Sequence, residues 1–163
     1  MTRSTAQDFD FFHGSWAVSH RRLVGRLIGS QDWQEFGGTC ITLPILGGMG
    51  NIDDNLLHLP AGDYRAATLR TFDAQIGKWS IWWVDGRNPH RLDPPVVGGF
   101  EDGTGIFFAK DVFEGQPILV QFMWRPGTSD QPIWEQAFSG DDGVSWEVNW
   151  VMSFQRMAGA ERV

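Results

Sequence analysis

The sequence predicts an all-β fold, a single antiparallel up-and-down β-barrel of about ten strands. Three observations lead there. Short segments rich in β-branched and aromatic residues alternate apolar with polar side chains, and Gly, Pro, Asp or Asn interrupts them roughly every ten residues. No stretch keeps a helical period long enough to supply the crossovers that parallel strands need. Gly14-Ser-Trp16 near the start and Trp150-Val-Met-Ser-Phe-Gln-Arg156 near the end place a Trp and an Arg on the first and last strands of a sheet that closes on itself. Closure removes the two exposed edges that so many twisted strands would otherwise present.

The elements follow in chain order. Residues 1–8 are polar and predict a flexible N-terminal arm, leaving 9–163 as the barrel domain. Phe9-Asp-Phe-Phe-His13 is a short aromatic cluster suited to one helical turn that plugs a barrel end. Strands are expected at Trp16–Ile28, Asp32–Leu43, Asn51–His58, Arg65–Phe72, Trp79–Val84, Val96–Glu101, Gly105–Phe113, Ile118–Arg125, Ile133–Ser139 and Trp146–Arg156. Asp102-Gly103, Glu114-Gly115 and Asp142-Gly143 can adopt the positive φ of tight hairpins.

Period two assigns faces. Trp146, Val148, Trp150, Met152 and Phe154 share the inner face of the last strand, with Glu147 and Asn149 outside unless a bulge reverses them. Glu135 is expected outside under the same condition. Ile118, Val120, Phe122 and Trp124 form a second inner row, Trp134, Gln136 and Phe138 a third, and Trp79, Ile81 and Trp83 a fourth, with Trp82 outside. On the first strand His20 and Arg22 follow Trp16 and Val18 inward, provided that no bulge intervenes, for example at Gly25. Polar groups inside an apolar barrel must find partners or serve a ligand.

Bulk properties narrow the function. At 163 residues with 42% apolar and 20% charged residues, the chain has the size and composition of one globular domain. Nine Trp and twelve Phe beside one Tyr point to an aromatic-walled interior, or equally to bulky filler. A net charge of −7 argues against nucleic acid as a partner. Cys40 is the single cysteine, so no intrachain disulfide forms. The absence of an apolar leader or a long apolar run predicts a cytoplasmic protein with no membrane partner.

Several segments carry possible chemistry. Asp85-Gly-Arg-Asn-Pro-His-Arg-Leu-Asp93 is the densest polar cluster, placed where a loop would cover a barrel mouth; it is either a surface connection or a site in which His90 moves a proton. Asn51-Ile-Asp-Asp-Asn55 invites a calcium reading but lacks the glycine and spacing of an EF-hand loop. His20 and His58 have no Cys partner or helical pairing for zinc, and neither a metal nor a cofactor is expected. Nucleophile elbows are missing, and Leu46-Gly-Gly-Met-Gly50 is a strand connection rather than a nucleotide loop.

With these features in view, the chain resembles the calycin superfamily, and within it a group of uncharacterised bacterial lipocalin-like proteins. The resemblance rests on Asp10-Phe-Phe-His-Gly-Ser-Trp16, Leu46-Gly-Gly-Met-Gly-Asn51, Trp79-Ser-Ile-Trp-Trp-Val-Asp-Gly-Arg87, Trp134-Glu-Gln-Ala-Phe-Ser139 and Trp150-Val-Met-Ser-Phe154. It implies a barrel with a ligand cavity and Trp16 packed against Arg156 at the closed end. It supplies no reaction. The haem-binding, nitrobindin-like branch uses an axial His late in the chain, whereas the histidines here are His13, His20, His58 and His90.

The leading expectation is a protein that binds a small, mostly hydrophobic or aromatic ligand in the barrel cavity. Trp83, Phe122, Trp124, Trp134, Phe138 and Trp150 are the expected walls, with His20, Arg22, Arg70 and Gln136 as polar handles. The first alternative is a cofactor-independent isomerase or cyclase in the same cavity, with His20 or His90 as the catalytic proton carrier. The second is a filled barrel acting as a homodimer through Trp82.

Overall fold

The computed structural model describes residues 3–158. Among them, ten antiparallel strands close into one barrel: β1 (Gly14–Leu23), β2 (Trp33–Ile45), β3 (Gly50–Leu59), β4 (Gly62–Asp73), β5 (Lys78–Asp85), β6 (Val96–Glu101), β7 (Thr104–Phe113), β8 (Gln116–Arg125), β9 (Ile133–Ser139) and β10 (Glu147–Arg156). Each strand pairs with its chain neighbours, and β1 closes the ring on β10 with Trp16 opposite Arg156 and Arg22 opposite Trp150. Asp102 and Glu114 take positive φ ahead of Gly103 and Gly115 in the two-residue hairpins expected there, whereas Asp142 and Gly143, also at positive φ, lie within a longer connection over 140–146. No helix among the described residues is long and apolar enough to cross a membrane.

One end of the barrel is solid. A 3-10 turn at Asp10–Phe12 inserts Phe9 and Phe12 among Trp16, Trp79, Phe107 and Trp124, all of them almost wholly buried. Phe9 meets Trp79, and Phe12 meets Phe154, edge to face at 4.9 Å, the geometry that ring quadrupoles favour. Trp16 Nε1 donates to the Phe12 carbonyl at 2.9 Å and Trp79 Nε1 to the Thr5 carbonyl at 3.1 Å, so burial strands neither indole N–H. Residues 3–8 of the expected arm lie on the barrel: Arg3 donates to the Gln75 carbonyl, and the Phe100 amide donates to Ser4 Oγ.

Arg156 fastens this end. Its guanidinium lies 4.2 Å over the Trp16 ring and donates to the carbonyls of His13 and Phe11 at 2.7 and 2.8 Å, while Nε reaches Asp130 at 2.8 Å. The plug is thus bonded to the last strand as well as packed against the first.

The inner rows follow period two in β1, β5, β8 and β9, with Trp82 on the outer face opposite Leu69. β10 departs from it. A register shift between Val148 and Trp150 lets Asn149 bulge, so Asn149 is fully buried whereas Val148 is 38% exposed. Trp146, expected inside, packs on the outer face against exposed Phe108. The one-residue bulge reverses the faces of everything before it.

The β5–β6 seam is short: Trp79 pairs with Gly98, Ser80 with Val97 and Ile81 with Val96, after which residues 86–95 leave the sheet. A Cβ on Gly98 would fall 2.0 Å from the Ile106 carbonyl oxygen, so β6 approaches β7 there only as glycine. We predict that Arg156→Ala destabilises the protein by about 2–4 kcal/mol in urea unfolding and that Arg156→Lys recovers little of it, because an ammonium cannot span the carbonyls of Phe11, His13 and Ser129 and the Asp130 carboxylate together.

Candidate functional site

Above the aromatic plug the interior opens into a cavity of about 360 Å³. Its size is at the lower end of the range for small-molecule sites. The apolar wall comes from β5, β8, β9 and β10 through Ile81, Trp83, Ile118, Val120, Phe122, Trp134, Phe138 and Trp150. Trp150 meets Trp83 and Trp134 edge to face at 5.5 Å each, so three indoles from three strands brace one another around the space. Gln136 adds an amide whose Nε2 donates to Asn149 Oδ1 at 2.9 Å, which holds the bulge of β10 against β9.

The mouth is charged. Arg22 from β1, Arg26 just beyond it, Tyr64 from β4, and Asp85, Arg87, Asn88, Arg91 and Asp93 around the 86–95 connection all line it. Arg87 clasps Asp85 through Nε and Nη2, the latter at 2.7 Å, and this hydrogen bonding holds the Asp85 carboxyl below its ordinary range. The Arg87 guanidinium also lies 3.7 Å over the Tyr64 ring. Burial, with Asp111 nearby, raises the Asp93 carboxyl.

The cavity floor is a buried polar network. Arg70 Nη2 meets Asp53 Oδ2 at 2.8 Å and Nη1 donates to Asn51 Oδ1 at 2.8 Å, while Asp53 Oδ1 accepts from the Thr68 amide and Asn55 Nδ2. The inward face of Asn51-Ile-Asp-Asp-Asn55 is therefore occupied in binding Arg70 and β4. Among the described residues, no three His, Cys, Asp or Glu side chains gather to hold a metal. The Arg70 guanidinium stacks above Phe9, Phe12 and Trp124, joining the network to the plug.

No protein-family model matches the chain, and no curated protein matches it.

Seven residues selected from sequence line the main cavity: Arg22, Trp83, Phe122, Trp134, Gln136, Phe138 and Trp150. Arg70 and Trp124 line a small adjoining space of about 20 Å³ at the floor, which shares Trp83, Phe122 and Trp134 with the cavity above. The two histidines lie elsewhere. His20 points inward as expected, but it sits in the wall, stacked 4.6 Å from Phe36, and its Nδ1 accepts the Trp150 indole N–H at 3.1 Å. His90 is exposed on the 86–95 connection and does not line the cavity. Tyr64 and Arg26 were missed: Tyr64 precedes the expected strand by one residue, although the parity of Ala66, Thr68 and Arg70 turns it inward. Arg26 falls within the expected Trp16–Ile28 strand, but β1 ends at Leu23, so its place at the mouth comes from the chain beyond the strand and not from period two.

Burial, and secondarily Arg22, lowers the His20 pKa to about 3, so His20 is neutral and accepts rather than donates at Nδ1. An imidazole neutral in the folded state and protonated in the unfolded one withdraws stability as pH falls from about 6.5 toward about 3. Between pH 7 and 5 its share is about 2 kcal/mol, and urea unfolding of His20→Gln should lose stability over that interval by about that much less than wild type. At the floor, Asp53→Ala strands the Arg70 charge and should cost about 3–5 kcal/mol, whereas the Asp53→Leu, Arg70→Met pair should cost less than Asp53→Ala alone in the same measurement.

Proposed function

We propose that this protein is a lipocalin-like binding barrel that holds a small, mostly apolar or aromatic molecule in its cavity. The observation that carries the reading is the division of the interior: aromatic side chains fill the closed end, yet Trp83, Trp134 and Trp150 stop short of filling the other and leave a walled space of about 360 Å³. An unfilled apolar space forfeits dispersion contacts that larger side chains would supply, and a guest restores them. That argues against the filled-barrel alternative. The isomerase or cyclase alternative relied on His20 or His90, and neither lines the space.

Native mass spectrometry of freshly purified protein, compared with the same sample denatured, is the first test. The expected result is a stoichiometric small molecule or, for protein stripped of it, saturable quenching of Trp fluorescence by naphthalene-sized ligands. Val120→Trp, which projects an indole into the cavity, should weaken that uptake by about tenfold or more while the unfolding midpoint stays close to wild type. Absence of any co-purifying mass together with no response to the ligands would overturn the reading, as would a Val120→Trp protein that binds as well as wild type.

A further inference from the structure

We infer that Arg22 and Arg26 at the cavity mouth receive a carboxylate, so that the guest is a monoanion with an apolar or aromatic body. This rests on the cavity-binding reading above and adds the chemical class of the guest. Both guanidiniums are set among aromatic rings: Arg22 Cζ lies 4.9 Å from the Trp150 ring and 5.1 Å from Phe36, and Arg26 Cζ lies 5.4 Å from Phe138. Among the described residues, no carboxylate oxygen comes within 4.0 Å of either, while Arg21, Arg65, Arg70, Arg87, Arg125 and Arg156 each have one. Of the acids whose charge reaches them, Asp85 beside Arg22 is already clasped by Arg87, and Glu147 beside Arg26 accepts the Leu27 amide through Oε1 at 2.8 Å.

Two cations held near each other over apolar rings are costly without an anion. Burial, and then Arg22, lowers the Arg26 pKa to about 10, which leaves it charged at neutral pH. Among the described residues, Arg22 donates from Nη1 to the Tyr64 hydroxyl at 3.0 Å, and Tyr64 so keeps its own proton for a second acceptor. Two guanidiniums and a phenol O–H bordering an aromatic cavity form a donor set for a planar anion. Four arginines and three aspartates line the cavity of a protein that is strongly acidic overall. That surplus of one positive charge suits a carboxylate better than a phosphate dianion.

Three probes of one shape test the assignment on the unmodified protein at pH 7.5: naphthalene-2-carboxylate, its primary amide and 2-naphthyl phosphate, each titrated by Trp fluorescence in about 0.1 M salt. The carboxylate should bind about tenfold or more tighter than the amide and tighter than the phosphate. The Arg22→Gln, Arg26→Gln double variant should bring the carboxylate-to-amide ratio to within about twofold. Equal binding of carboxylate and amide by wild type would overturn the anion site while leaving the cavity reading intact. Tighter binding of the phosphate would overturn the carboxylate class. A ratio that survives the double variant would overturn the role of these two arginines, and binding of none of the three would count against both readings.

Discussion

Everything in this barrel depends on the two ends of the chain pairing with each other. β1 and β10 are far apart in sequence, and their antiparallel register sets Trp16 opposite Arg156. That register brings the Arg156 guanidinium over the Trp16 ring and within reach of the carbonyls of the Phe9–His13 segment. The plug is held because the ring is closed, and the ring is capped because the plug is held. Joining strands so far apart in sequence carries a loop-entropy cost, which the Arg156 contacts help to offset.

The second constraint is the polar floor. Asn51, Asp53, Thr68 and Arg70 occupy inner positions on β3 and β4, whereas β8 places Ile118, Val120, Phe122 and Trp124 there. The arrangement is tolerable because each charge meets an opposite charge and the Asp53 oxygens accept backbone and amide donors as well. Its placement has a structural result. The flat Arg70 guanidinium covers the rings of Phe9, Phe12 and Trp124, separating the dry aromatic end from the open space above it.

Strand positions and inner rows were legible in the sequence because alternation and turn chemistry are local. The dipeptides at Asp102, Glu114 and Asp142 show this most directly, since their positive φ is a property of two adjacent residues. The Asn149 bulge was not legible: it inserts one residue into an otherwise regular alternation, and only pairing with β9 reveals that Val148 and Asn149 have exchanged faces. His20 was placed on the correct face, yet its role depended on an indole N–H from β10, 130 residues away. Likewise the polar run at 85–93 was legible as a mouth, whereas Arg87 turning onto Tyr64 and His90 turning to solvent depend on the path of the loop.

The short seam between β5 and β6 has a mechanical consequence. A closed sheet gives way where the fewest rungs join neighbouring strands, and here that is three pairs beside a long connection, against five or more at every other seam. The seam borders the open half of the interior, because Ile81 and Val96, its last pair, also line the cavity. Parting the Ile81–Val96 end would widen the wall sideways, while the other end stays held by Trp79 and Phe100 packed on Phe9. A slit of that kind would sort molecules by how fast they pass, not by the width of a fixed aperture.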